Sequence, residues 1–145
     1  MILDRNTLVS NAQAGTATAV STDTIYLGAV RDIGTGTDIS AFVTVDVAAT
    51  AAGAATVTFA VITSANADLS SATTLYTTAA IGKATLVAGY KVFDITIPKQ
   101  LLSRYLGLSY TVATGPLTAG AFTGGFVVDT QSQAYYDSGL NVSGF

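Results

Sequence analysis

Residues 105–129 constrain the fold more than any other stretch: YLGLSYTVAT, then GPLTAG, then AFTGGFVVD. Leu106, Leu108, Tyr110 and Val112 alternate with Tyr105, Gly107, Ser109 and Thr111, the period of two that sends one set of side chains to a buried face. Phe122, Phe126 and Val128 repeat the pattern in the second run. Gly115, Pro116 and Gly120 lie between the runs and predict a chain reversal, so the two strands are expected to pair as an antiparallel hairpin. At roughly 1.5–3 kcal/mol per large apolar side chain, their burial would contribute on the order of ten kcal/mol before chain entropy is subtracted. A lone hairpin is not stable in water, so other strands must cover it.

Those strands are legible upstream. The stretch 17–27 places Val20, Ile25 and Leu27 inward, with Asp23 at a kink. Ile39, Ala41, Val43, Val45 and Val47 share one face of the next run, and Val57, Phe59 and Val61 share one face of the run 56–63. Adjacent in sequence, these two runs are expected to be neighbours. A short strand over 73–78 and a turn at Gly82-Lys83 lead to 90–97, where Phe93, Ile95 and Ile97 face inward, Lys91 sits near an edge and Pro98 ends the ladder. About eight short strands separated by Gly, Pro, Thr and Asp connections predict an all-β protein, an antiparallel β-sandwich. Pattern alone leaves a jelly roll and an immunoglobulin-like sandwich open, although the chain lacks the Cys and Trp of a true immunoglobulin domain. The organisation expected is an N-terminal arm (1–16), a β-sandwich domain (17–129) and a C-terminal tail (130–145).

Composition excludes more than it proposes. The chain has no Cys and no His, which removes disulfides, thiolate chemistry and the two commonest transition-metal ligands. Charged residues are 10% of the chain, against about 25% in ordinary soluble proteins. Either Thr, Ser and Ala dress the surface, or part of it lies against another chain. A net charge of −3 with no basic patch argues against nucleic acid. No apolar run approaches the roughly 20 residues of a membrane-spanning helix. The start MILDRN lacks the basic and apolar blocks of a secretory signal, so the protein is expected to be made in the cytoplasm of its producing cell.

Catalysis is not expected, nor any cofactor or metal. Asp32, Asp38, Asp46, Asp94 and Asp129 could supply a carboxylate pair, but they fall at strand ends or on solvent faces, where aspartate caps turns. No Asp-x-Asp-x-Asp-Gly calcium loop is present, no His can activate a Ser or Thr, and no lysine stands in a Ser-x-x-Lys frame. Gly34-Thr-Gly36-Thr lacks the lysine of a nucleotide loop and reads as a turn. The expected sites are instead interface residues near the two ends: Ile2, Leu3 and Leu8 in the arm, and Tyr135, Tyr136, Leu140, Val142 and Phe145 in the tail. Aromatic and aliphatic residues there would cover apolar area for few frozen torsions.

Several blocks carry a resemblance. Met1-Ile-Leu-Asp, Ser10-Asn-Ala-Gln-Ala14, Thr16-Ala-Thr-Ala-Val-Ser-Thr22, Arg31-Asp-Ile-Gly34, Leu86-Val-Ala-Gly-Tyr90 and the block from Arg104 to Phe122 are similar to the cement proteins that decorate the capsids of some tailed bacteriophages. That resemblance implies a jelly-roll sandwich that associates with itself as a dimer or trimer. It also implies a place on the outer capsid surface of the virion, clamping neighbouring copies of the major capsid protein. The alternative is a carbohydrate-binding sandwich with Tyr76, Tyr90 or Tyr105 stacking on sugars, and a third reading is a glycosidase that works with aspartates alone.

Overall fold

The computed structural model describes residues 4–28, 38–97 and 102–128. Its strands are β1 (Leu8–Ala14), β2 (Ala19–Val20), β3 (Ile25–Tyr26), β4 (Ser40–Thr50), β5 (Thr56–Ser64), β6 (Thr73–Thr77), β7 (Ile81–Gly82), β8 (Lys91–Thr96), β9 (Tyr105–Ala113) and β10 (Ala119–Val127). A 3₁₀ turn, Arg5–Thr7, precedes them, capped by the Asp4 carboxylate, which accepts the Asn6 N–H at 3.0 Å. Every pairing is antiparallel. One sheet runs β1-β10-β4-β8; the other runs β2-β9-β5-β6, with β3 also on β9 and β7 also on β5.

The order of pairing identifies the architecture. If β2 with β3 and β6 with β7 are each taken as one interrupted strand, eight positions remain, pairing first with last, second with seventh, third with sixth and fourth with fifth. That is one long hairpin rolled up so that successive pairs alternate between two sheets, a jelly roll. The β-sandwich expected from the pattern is the fold observed, and of the two sandwich types it is the jelly roll.

Rolling overturns two expectations about neighbours. β9 and β10 do not form a hairpin, because they lie in opposite sheets, and β4 and β5 are likewise divided between the sheets. The connection after β9 turns away through Thr114 and Gly115, both at positive φ, and Leu117 plugs the gap it crosses. Two backbone bonds hold that crossing, Leu117 N–H to Thr16 O at 3.1 Å and Thr118 N–H to Thr50 O at 2.7 Å. Alternation tells which side chains face inward. It carries no information on which strand supplies the adjacent ladder.

The core fills the space between the sheets with Val43, Val45, Val57, Phe59, Val61, Leu106, Leu108, Tyr110 and Phe122, all essentially without solvent contact. Phe59 meets Phe122 edge to face, with ring centroids 4.9 Å apart, and Tyr110 completes the cluster at 5.6 Å from Phe59 and 5.5 Å from Phe122. Gly124 lets the sheets approach at this level, since a Cβ there would run into the Leu108 and Val43 side chains and the Phe42 carbonyl.

One polar path crosses the apolar layer. The Tyr110 hydroxyl donates to Ser10 Oγ at 2.7 Å, and Ser10 Oγ donates to Gln13 Oε1 at 2.8 Å, joining β9 of one sheet to β1 of the other. Burial raises the Tyr110 phenol pKa above its ordinary value, partly offset by the Ser10 hydrogen bond and reinforced by the Asp46 carboxylate. In the unfolded chain the phenol titrates near pH 10, so this stabilisation is complete below about pH 10 and is lost as pH rises beyond it. Tyr110→Phe is expected to cost about 1 kcal/mol at neutral pH and to make the alkaline fall in Tm shallower than in wild type. Thermal melts from about pH 7 to pH 11 check both effects; parallel alkaline slopes would assign the fall to other groups.

Local register explains the remaining departures. Val47 is 50% exposed although Val45 and Ala49 are buried. The ladder skips a residue on β4 between Val45↔Phe122 and Val47↔Ala121 and another before Thr50↔Ala119, so facing reverses and then recovers. Val20 faces out because the run 17–27 is two strands: Ser21 Oγ accepts the Leu108 N–H at 3.1 Å, and Asp23 N–H turns to Val9 O at 2.9 Å. Val128 lies just past β10 and is 62% exposed. Residues 8–14, assigned to the arm from sequence, form β1, with Leu8 opposite Gly125 and Val9 only 1% exposed. Leu8 and Val9 lie along the edge that β10 offers to β1.

Candidate functional site

One end of the sandwich holds an apolar cavity. There Ile25 in β3, Leu27 after it, Ile39 before β4, Leu106 in β9, Phe126 and Val127 at the end of β10 and Val128 just beyond it line, with Thr7, a cavity of about 190 Å³. Pairing brings them together, since Ile25 lies opposite Leu106 and Phe126 opposite Ala41. Seven of the eight lining residues are apolar, so this mouth offers no acid, base or ligand. A dry cavity of about 150 Å³ can hold a benzene ring, so the mouth has room for one large apolar side chain. The chain continues from it in both directions, from Thr7 toward residue 1 and from Val128 toward residue 145.

The two outer faces differ in charge. On the four-stranded sheet, Asp46 accepts a hydrogen bond from Thr123, and Lys91 pairs with Asp94 at 2.6 Å on the edge strand β8, the edge position expected for Lys91. Charges on an edge strand oppose pairing with another sheet. On the other sheet, the outward positions of β9 and β5 are Tyr105, Gly107, Ser109, Thr111 and Ala113, and Thr56, Thr58, Ala60, Ile62 and Ser64. Val20 and Thr77 extend that face on either side, opposite Ser109 and Ala60. None of these positions carries a charge. Leu69 covers the Gly107 end of the face from the loop between β5 and β6, where Asn66 and Asp68 bind Ser70. The Ser70 hydroxyl and N–H hold the exposed Asp68 carboxyl below its usual range.

Of the interface residues expected from sequence, only Leu8 lies within the described residues, where it begins β1 half-buried. Ile2, Leu3, Tyr135, Tyr136, Leu140, Val142 and Phe145 lie outside them, as do Asp32, Asp129 and the Gly34-Thr-Gly36-Thr loop. The aspartates considered for catalysis are not brought together at Asp46 and Asp94, which are engaged with Thr123 and Lys91. Among the described residues no cluster of three or more acidic groups could hold a metal ion, and no helix is long and apolar enough to cross a membrane. Tyr76 packs on Phe93 at 5.4 Å, and Tyr90 is half-buried with its N–H on Val87 O. The Tyr105 and Tyr26 rings are tilted by 35° with centroids 5.0 Å apart, and Tyr26 is 59% exposed.

Sequence reasoning missed the mouth because Ile25, Leu27 and Ile39 follow the same alternation as the core. The available signal was their position on both sides of the long Gly28–Asp38 connection. The uncharged face was legible as Thr56, Thr58, Ser109 and Thr111 at alternate positions, but it was not singled out. A family model described as Bbp16 matches residues 9–126, from β1 to β10 and so through both sheets. No curated protein matches the chain.

Proposed function

The chain belongs to the Bbp16 family, and we propose that it is a non-enzymatic structural virion protein that binds the outside of a phage capsid and stabilises contacts between major capsid protein subunits. The observation that carries this reading is the apolar cavity at that end of the sandwich, with Val128 exposed at its rim. Wetted apolar surface costs free energy that a protein partner would recover. A cement needs such area, together with backbone able to pair, and no reactive group. The resemblance of the sequence blocks to phage cement proteins supports the same conclusion, as does the charged fraction of 10%. Many copies on one shell compensate for a weak single contact, because attachment at one site raises the effective concentration at the next. The protein would also associate with itself on the outer capsid surface, through the end segments bearing Ile2, Leu3, Tyr135, Tyr136, Leu140, Val142 and Phe145.

Deleting residues 131–145 is expected to lower the amount of particle-bound protein severalfold and to shift its oligomeric state, as measured by quantitative gel analysis of purified virions and by light scattering. Unchanged occupancy and assembly would remove the tail from the contact. A second reading keeps one observation in its favour: Tyr26 and Tyr105 present a paired ring surface of the kind on which sugars stack. A glycan-binding screen, with Tyr26→Ala as control, separates that module from a cement.

A further inference from the structure

We infer that the outer face of the β2-β9-β5-β6 sheet is the surface laid against an uncharged protein surface of the assembled shell, while the face bearing Asp46, Lys91 and Asp94 points to solvent. This rests on the capsid reading above and adds the orientation of the sandwich. Val20, Ser109, Ala60 and Thr77 form one row across four strands, and Thr111 and Thr58 form the next. An ordinary solvent-facing sheet alternates apolar inward positions with charged and polar outward ones. Here the outward side chains are small, mostly hydroxyl-bearing and uncharged, so a partner could cover them without burying an unpaired ion. Their hydroxyls can both donate to and accept from neutral groups, whereas a strongly basic or acidic partner would find no counter-charge. The opposite sheet concentrates its charges outward, where burial would be costly.

The size of the face argues for a repetitive partner over a second free copy. Strand spacings of about 4.8 Å and same-face steps of about 6.8 Å give the nine outward positions that are not buried a footprint of roughly 300 Å². Two such faces would bury roughly 600 Å² in total, below the 1,000–1,200 Å² or so of a stable pair. On a shell the same contact repeats, and multivalency supplies what one footprint lacks.

The test loads purified protein onto virions grown without it and measures occupancy for wild type, Thr77→Lys/Thr111→Lys, Thr77→Val/Thr111→Val and Thr96→Lys. Thr77 and Thr111 lie on the uncharged face, on different strands and not opposite one another; Thr96 is exposed on β8 of the other sheet. All three positions of substitution being exposed, melting temperatures should stay within about 3 °C of wild type, and single Thr111→Lys replaces the double variant should that fold poorly. The lysine pair is expected to lower occupancy more than about tenfold, while the valine pair and Thr96→Lys load normally. If wild type loads and the lysine pair loads equally well, the orientation is wrong and the capsid reading stands. If Thr96→Lys alone blocks loading, the charged face is the contact. If wild type itself does not load, the capsid reading falls and takes this inference with it.

Discussion

Phe122→Ala is expected to reduce the free energy of unfolding by about 3–5 kcal/mol. The ring has no solvent contact and lies at the centre of the sandwich, carried on β10 of one sheet and packed edge to face on Phe59 of the other. Neighbouring backbone is moulded to it, since a Cβ at Gly15 would collide with the ring. A site walled by two sheets held in register cannot collapse to refill the space, so the transfer loss and the cavity loss add. Urea unfolding of the isolated protein reads the difference as a lower midpoint with an unchanged slope. Val128→Ala is the matched control: that side chain is mostly exposed and should change stability by less than about 0.5 kcal/mol. A loss near 1 kcal/mol for Phe122→Ala would mean that the two sheets are less tightly joined than their packing implies.

What the sequence made legible follows the physics of each signal. Alternation identified Val57, Phe59, Val61, Leu106, Leu108 and Tyr110 as inward, because burial in a sandwich depends on the local pleat alone. It misjudged Val20 and Val47, because a break at Ser21 and skipped residues near Asp46 reverse facing without any compositional mark. Pairing was further out of reach. Gly115-Pro116 correctly signalled a change of direction, but a hairpin turn and a crossing between sheets use the same residues, and only the long-range partners of β9 and β10 distinguish them. The jelly roll came from resemblance, since pattern left two sandwiches open.

The candidate site was harder still. Tyr135, Tyr136 and Phe145 were singled out for residue type, and they lie beyond the described residues. The apolar mouth is assembled from Thr7, Ile25, Ile39, Leu106 and Phe126, side chains on different elements whose proximity is a property of the fold. No periodicity reports which inward residues meet around one cavity. The charge asymmetry of the two faces could be computed from sequence only once sheet membership is known.

The second large effect is on assembly, and it tests the central claim that this sandwich holds a shell together through uncharged area. Virions grown without the protein would be mixed with the purified full-length chain, separated by sedimentation, and washed at increasing salt. Saturable loading onto the particles is predicted, with little release between about 0.1 M and 1 M salt, because few charge pairs are available for screening. Protein that stays in the supernatant as a monomer, or that washes off almost completely at moderate salt, would contradict the account.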